Sequence, residues 1–176
     1  MAQSDEKLIQ QMKSGDENAM EELVSRWYPR IYAYAYRMTG QEQDAQDITQ
    51  ETFLAVIRYV GTLNPWRKFQ SWLFTIAHHK CIDFFRLRGK VIDAPEELEK
   101  LKAPDINNRI LDAVVLEQAM SQLPPLQKET IILQYFNGFT PAEIAHMTHT
   151  PLSTVRWRLN AAKNRLAEQL KEDGHG

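Results

Sequence analysis

"FTPAEIAHMTHTPLSTVRWRLNAAKNRLAEQL", residues 139–170, predicts two helices separated by a tight turn. Thr140 and Glu143 form a capping box at the start of the first helix, and Pro141 suits its first position. After the three residues 148–150, Thr150 and Pro151 repeat this start signal. The order of elements predicts a helix-turn-helix.

The second helix of this stretch has an apolar side and a basic side. Val155, Leu159, Ala162 and Leu166 recur at helical spacing and predict a buried stripe. Residues 151–171 hold five bases against one acid. An ordinary basic surface helix would share that charge, but two capped helices and a short turn together favour DNA contact. The outward residues on this prediction are Ser153, Thr154, Arg156, Trp157, Arg158, Asn160 and Lys163.

The rest of the chain also reads as helical, because apolar residues recur every three to four positions and no clean alternation extends over four residues. We expect an all-α protein of two small domains, residues 1–88 and 111–176. The intervening residues 89–110 contain one glycine and two prolines, with five acids against two bases between 93 and 105. This composition predicts a flexible acidic linker.

An acidic stripe opens the helix that begins near residue 44. Asp44, Asp47 and Glu51 share one side, and residues 41–57 contain no lysine or arginine. A metal site is disfavoured, because no histidine is near and the carboxylates spread over two turns. A solvated face and a docking surface for a basic partner both remain open.

Residues 64–90 gather six bases against one acid, and six aromatic rings, in a chain of formal net charge −2. Interleaved rings and positive charge are typical of single-stranded nucleic-acid binding. The rings could equally be the core of a small domain.

The same segment contains "HHKCID", which invites a metal or Cys–His catalytic interpretation through His78, His79, Cys81 and Asp83. Adjacent histidines on a helix point about 100° apart, and no pair among the four supplies three ligands. We therefore expect no enzyme activity, no metal and no cofactor. Cys81, the one cysteine in the sequence, is expected to be buried apolar filler.

The 176 residues contain no apolar run near the roughly 20 needed to span a bilayer, and the N-terminal stretch is too polar for a signal peptide. We expect a cytoplasmic protein without direct membrane insertion.

Four motifs in order resemble the extracytoplasmic-function group of the sigma-70 family: "DAQDITQETFLAV" (44–56), "FQSWLFTIAHHKCIDFFR" (69–86), "LEQAMSQLPPLQKETIILQYFNGFTPAEIA" (116–145) and "STVRWRLNAAKNRL" (153–166). The resemblance implies a promoter-specificity factor with no catalytic activity. Its implied partners are the largest-subunit clamp coiled coil and the flap of core RNA polymerase, promoter DNA and an anti-sigma factor.

The resemblance also assigns roles to residues. It implies polymerase binding by Asp47, Gln50, Glu51 and Phe53. It implies minus-ten DNA contacts by Trp66, Arg67, Lys68, Trp72, His79, Lys80, Asp83 and Arg86, although His79 stands where the family often has asparagine. The outward residues of the helix-turn-helix would read the minus-thirty-five element, and the linker would run toward the polymerase active centre.

Two other classes of protein would each explain part of the sequence. A free-standing helix-turn-helix regulator would explain residues 112–170 and leave the N-terminal motifs unused. A helical adaptor that binds only protein would explain the acidic stripe but not the two basic segments.

Overall fold

The chain is predominantly helical, as expected. The computed structural model describes residues 2–65, 67–90 and 113–172, and over these residues it contains helices and no β-strand. The chain divides into two compact units between Phe84 and Phe85. The predicted linker, residues 89–110, lies outside the described residues from position 91 onward. No helix in the described ranges combines the length and apolar character needed to cross a membrane.

The first unit is built on a helical hairpin. Asp16 caps the first long helix by accepting hydrogen bonds from the amides of Asn18 and Ala19, at 2.9 and 3.3 Å. Gly40 ends that helix with φ 71°, a left-handed conformation that glycine adopts without a Cβ penalty. The helices are α1 (Asp5–Lys13), α2 (Glu17–Thr39), α3 (Glu42–Tyr59) and α4 (Phe69–Leu87), with a 3₁₀ turn at Val60–Thr62.

The core of this unit contains one side of α3. Ala45, Ile48, Thr52 and Val56 are all buried. Aromatic rings join α4 to α2: Trp27 meets Phe69 at 5.9 Å between ring centroids, and Tyr34 meets Phe74 at 5.8 Å, both edge to face. Three rings of α4, those of Phe69, Trp72 and Phe74, are therefore part of this core.

Helix α1 is held by polar contacts at both ends. The Asp5 carboxylate accepts from Arg26 Nη1 at 2.7 Å and from Trp27 Nε1 at 3.2 Å. At the other end, Lys13 Nζ donates to the carbonyl oxygen of Leu63 at 2.9 Å. These contacts fix α1 against α2 and against the chain that follows α3.

The second unit contains the helix-turn-helix. Its elements are α5 (Ala113–Met120), α6 (Pro125–Ile131), a π-helical turn (Ile132–Phe136), α7 (Pro141–Met147) and α8 (Leu152–Glu172). Thr140 caps α7 as predicted: its hydroxyl accepts from the Glu143 amide and donates to the Glu143 carboxylate, both at 3.1 Å.

The predicted cap of α8 was wrong by one residue. Thr150 donates its hydroxyl to the Thr148 carbonyl at 3.1 Å and so stabilises the turn instead. The Pro151 carbonyl accepts from the amides of Thr154 and Val155, so α8 begins at Leu152.

Candidate protein and nucleic-acid interfaces

Helix α3 presents an acidic, solvent-facing side. Asp47, Gln50 and Glu51 are exposed and are neighbours on this side of the helix, which lies opposite the buried stripe. Gln43 Nε2 donates to Asp47 Oδ1 at 2.9 Å, and Lys80 Nζ of α4 lies 4.0 Å from Glu51 Oε2. The structure thus brings together three of the four predicted polymerase-binding residues.

Phe53, the fourth predicted polymerase-binding residue, is buried. Its side chain is only 5% exposed, and its ring stacks on Tyr28 of α2 at 5.9 Å. Phe53 supports the acidic side by fixing α3 on α2 and does not line it. Around α3, Phe53 lies about 160° from Glu51 and about 60° from Gln50, at the edge where the helix meets α2.

An apolar residue that the sequence interpretation missed lies among the acids. Leu54 is 61% exposed and follows Asp47 by seven positions, which places it on the same side two turns along. The seven-residue spacing was visible in the sequence and could have identified it. We call Asp47, Gln50, Glu51 and Leu54 the acidic face.

The segment around α4 carries exposed charge over a buried aromatic interior. Arg67 and Lys68 are exposed before the helix, and Arg67 Nη2 donates to Thr75 Oγ1 at 3.4 Å. His79, Asp83 and Arg86 are exposed on one side of α4, at spacings of four and three.

Two other predicted minus-ten residues, Lys80 and Trp72, stand apart from that group. Lys80 is half-buried and near Glu51. Trp72, predicted to contact minus-ten DNA, is buried and packs against Phe69 with ring centroids 6.0 Å apart, which is a core position. Trp66 lies outside the described residues.

The "HHKCID" residues do not converge. His78 and Cys81 are buried, whereas His79 and Asp83 are exposed. Within the described ranges, no group of three or more His, Cys, Asp or Glu side chains could hold a metal ion. The burial of Cys81 confirms its prediction as apolar filler.

Helix α8 has the predicted two-sided character. Val155, Leu159, Ala162 and Leu166 are all buried, which confirms the stripe. Six of the seven predicted DNA-facing residues keep exposed surface: Ser153 and Arg156 are exposed, and Thr154, Trp157, Asn160 and Lys163 are half-buried.

Arg158 is the exception, and its predicted outward position was wrong. It is only 8% exposed, because it follows Val155 by three positions and precedes Ala162 by four. These spacings place it beside the buried stripe.

Tyr135 was absent from the sequence predictions. It is exposed on the π-helical turn, and Lys163 Nζ lies 5.5 Å from its ring centroid. π-helical turns occur frequently at functional sites. The spacing of apolar residues in "IILQYFNGF" gave no indication of which ring would face outward.

Two family models match the chain. The sigma-70 region 2 model matches residues 23–91, and the sigma-70 region 4 model matches residues 113–166. The first range includes the acidic face and α4, and the second includes the helix-turn-helix.

Curated relatives cover nearly the whole chain. The sigma factor CarQ of Myxococcus xanthus is 30% identical over 93% of this chain and 96% of its own length. The ECF sigma factor SigW of Bacillus subtilis is 28% identical over 94% of this chain and 96% of its own. SigE of Mycolicibacterium smegmatis is 34% identical over 89% of this chain, and the match spans 65% of SigE.

Solved structures share the fold. CnrH, in complex with the cytosolic domain of CnrY, matches with a TM-score of 0.69 and 26% identity over 96% of this chain and 98% of that chain. The sigma factor RpoE of Bartonella quintana, in complex with the anti-sigma factor NepR, has a TM-score of 0.67. It is 23% identical over 86% of this chain and 96% of that chain, a likeness of fold alone.

Two sigma regions in order, on a two-unit helical fold, define a transcription initiation factor. The chain belongs to the extracytoplasmic-function sigma factors of the sigma-70 family. Its function is promoter-directed initiation of transcription. A free-standing helix-turn-helix regulator is not favoured, because it would leave the region 2 match unexplained.

Proposed function

We propose that the acidic face of α3 is the surface through which this sigma factor binds core RNA polymerase. The observation that carries the proposal is the placement of Asp47, Gln50 and Glu51 together on one exposed side. By the resemblance, they match the positions of the family's polymerase-binding motif. The partner on the polymerase is the clamp coiled coil of the largest subunit, and the flap binds the C-terminal unit.

The chemistry of the acidic face favours a basic helical partner. Residues 41–57 supply carboxylates and no lysine or arginine, so arginine and lysine side chains are attracted to this side. Leu54 gives the face an apolar residue that excludes water around the charged pairs.

The exposed residues around α4 are proposed to hold the melted minus-ten DNA. Arg67, Lys68 and Arg86 supply positive charge for phosphates, and His79 and Asp83 offer hydrogen bonds to an unstacked base. Trp66 and Lys80 are assigned here by resemblance. Trp72 supports this surface from the core.

Helix α8 is proposed to read the minus-thirty-five element. Arg156 and Asn160 lie on its outward side and have the side chains that recognise base edges in the major groove. Ser153, Thr154 and Lys163 are suited to phosphate contacts. Trp157 lies among them and offers an apolar surface to the groove.

We assign residues 1–88 to region 2, 89–110 to the linker and 111–176 to region 4. The protein has no catalytic activity of its own and acts in the cytoplasm, where the polymerase is. An anti-sigma factor is its proposed regulator. Support comes from CnrH, which was solved with the cytosolic domain of another protein bound to it.

The polymerase-binding proposal is tested by size-exclusion chromatography of the full chain with core RNA polymerase. We expect Asp47→Lys/Glu51→Lys to weaken binding by about 100-fold or more, because two attractive pairs become repulsive. The matched control Glu6→Lys/Glu168→Lys makes the same charge change at exposed positions outside α3. It should co-elute like the wild type.

Either of two results would contradict the proposal. The reversed variant could co-elute with the polymerase, or the folded wild type could fail to bind any core enzyme. The second result would direct attention to duplex-DNA binding by a free-standing regulator.

A further inference from the structure

Helix α2 carries a column of stacked tyrosines that the proposed function does not use. Tyr28, Tyr32 and Tyr36 follow one another at four-residue spacing. Their ring centroids are 6.4 and 6.2 Å apart, and their planes are within 16° of parallel. We call these three residues the tyrosine column.

The column opens toward solvent along its length. Tyr28 is half-buried and stacks on the core residue Phe53, Tyr32 is also half-buried, and Tyr36 is 42% exposed. Tyr34, on the other side of the same helix, is fully buried and packs against Phe74. Packing of the unit therefore uses Tyr34 and Tyr28, while Tyr32 and Tyr36 present ring surface that the core does not require.

The charge beside the tyrosine column disfavours a nucleic-acid partner. Partial burial, and then the nearby Glu42 carboxylate, raise the pKa of Tyr32, so a negative charge lies beside the column. The adjoining helix α3 carries no base between positions 41 and 57. Phosphates would be repelled there.

A guanidinium group suits the same surroundings. It stacks on aromatic faces, and its donors bond to carboxylate oxygens. The chemistry of the column therefore favours arginine side chains.

The column is continuous with the acidic face. Tyr28 contacts Phe53, which starts the path from α2 onto α3. Around α3, Gln50 lies about 60° from Phe53 and about 60° from Asp47 at 100° per residue. Gln50 and Ile57 lie beside the buried Phe53 on the side of the acidic face, and both are exposed, so exposed residues connect the two features.

We propose that the tyrosine column extends the polymerase-docking surface from α3 onto α2 and receives arginine side chains of the same polymerase segment that contacts the acidic face. This inference rests on the proposed function of the acidic face.

The experiment measures the Kd of the full chain for core RNA polymerase. We expect Tyr32→Ala/Tyr36→Ala to raise the Kd roughly tenfold, because two exposed ring–cation contacts are lost. Tyr32→Phe/Tyr36→Phe keeps the rings and should stay near the wild-type Kd. Tyr28 is left unchanged because its ring contacts Phe53.

The matched control is Tyr59→Ala. Tyr59 is 50% exposed, belongs to the same unit and lies outside the column. Its replacement should leave the Kd unchanged. Thermal melting checks that each variant folds.

A pair of variants at Tyr36 tests the charge of the partner without disturbing the core. Tyr36→Lys should weaken binding more than Tyr36→Glu, because only the lysine repels an arginine. If Tyr32→Ala/Tyr36→Ala does not fold, this pair decides the question alone. Equal effects of Lys and Glu would overturn the inference.

The acidic-face reversal separates failure of the inference from failure of the proposed function. If Asp47→Lys/Glu51→Lys abolishes binding while the folded column variants bind like the wild type, the inference is wrong and the polymerase-binding proposal stands. If the reversal leaves the Kd unchanged, the proposed function fails and the inference fails with it.

Discussion

Helices α3 and α8 are built on the same plan and carry opposite charge. Each buries an apolar stripe, of Ala45, Ile48, Thr52 and Val56 in α3 and of Val155, Leu159, Ala162 and Leu166 in α8. The open side of α3 is acidic and includes an exposed leucine, whereas that of α8 is basic and rich in hydrogen-bonding side chains. An exposed apolar residue among acids suits a protein surface, and arginine with asparagine suits a DNA groove.

The largest effect is expected from a substitution in the buried stripe of α8, because it lowers the stability of the fold. Leu159 lies in the buried stripe of α8, and Leu159→Ala should lower the free energy of unfolding by about 2–5 kcal/mol, through lost apolar contacts and the cavity left behind. Chemical denaturation measures this change. A loss below about 1 kcal/mol would show that the stripe is not a packed core.

A smaller effect is expected on the DNA side of α8. Arg156→Ala should lower transcription from the cognate promoter by an amount equivalent to about 1–3 kcal/mol of binding free energy, because a base contact is lost. Run-off transcription from that promoter and from one altered in its minus-thirty-five element provides the measurement. Arg165→Ala, an exposed arginine on another side of α8, is the matched control. An equal loss on both promoters would make Arg156 a phosphate contact.

The smallest effect is expected at the exposed leucine of α3. Leu54→Ala should raise the Kd for core polymerase about fivefold, because the exposed apolar area of the acidic face is lost. Its free energy of unfolding should change by less than about 0.5 kcal/mol, as for other surface positions. Leu87→Ala removes an equally large exposed side chain from the end of α4 and should leave binding unchanged. Binding losses of equal size in the two variants would show that Leu54 has no specific role.

The sequence predicted features that depend on local chemistry. The cap at Thr140 and the buried stripe of α8 follow from a few neighbouring residues. The predicted roles of Phe53, Trp72 and Arg158 depended on contacts with other elements or on positions at the edge of a stripe. A change of some 60° around a helix decides between core and surface there, and residue spacing alone does not resolve it.

The positions of rings were the hardest to predict. The sequence showed that aromatic residues were concentrated, but the tyrosine column arises from four-residue spacing on α2 combined with the placement of Phe53 from α3. The exposed Tyr135 depends on a π-helical turn, which shifts the direction of the side chains that follow it.

The hydrogen bond from Lys13 to the Leu63 carbonyl ties the N-terminal helix α1 to the chain that follows α3. It holds the chain one residue before the basic segment at 64–90 begins, while Asp5 holds the other end of the same helix to Arg26 and Trp27. Loss of α1 would remove this hydrogen bond from the chain that leads into the basic segment. The N-terminal helix thus restrains the start of a charged surface that it does not form.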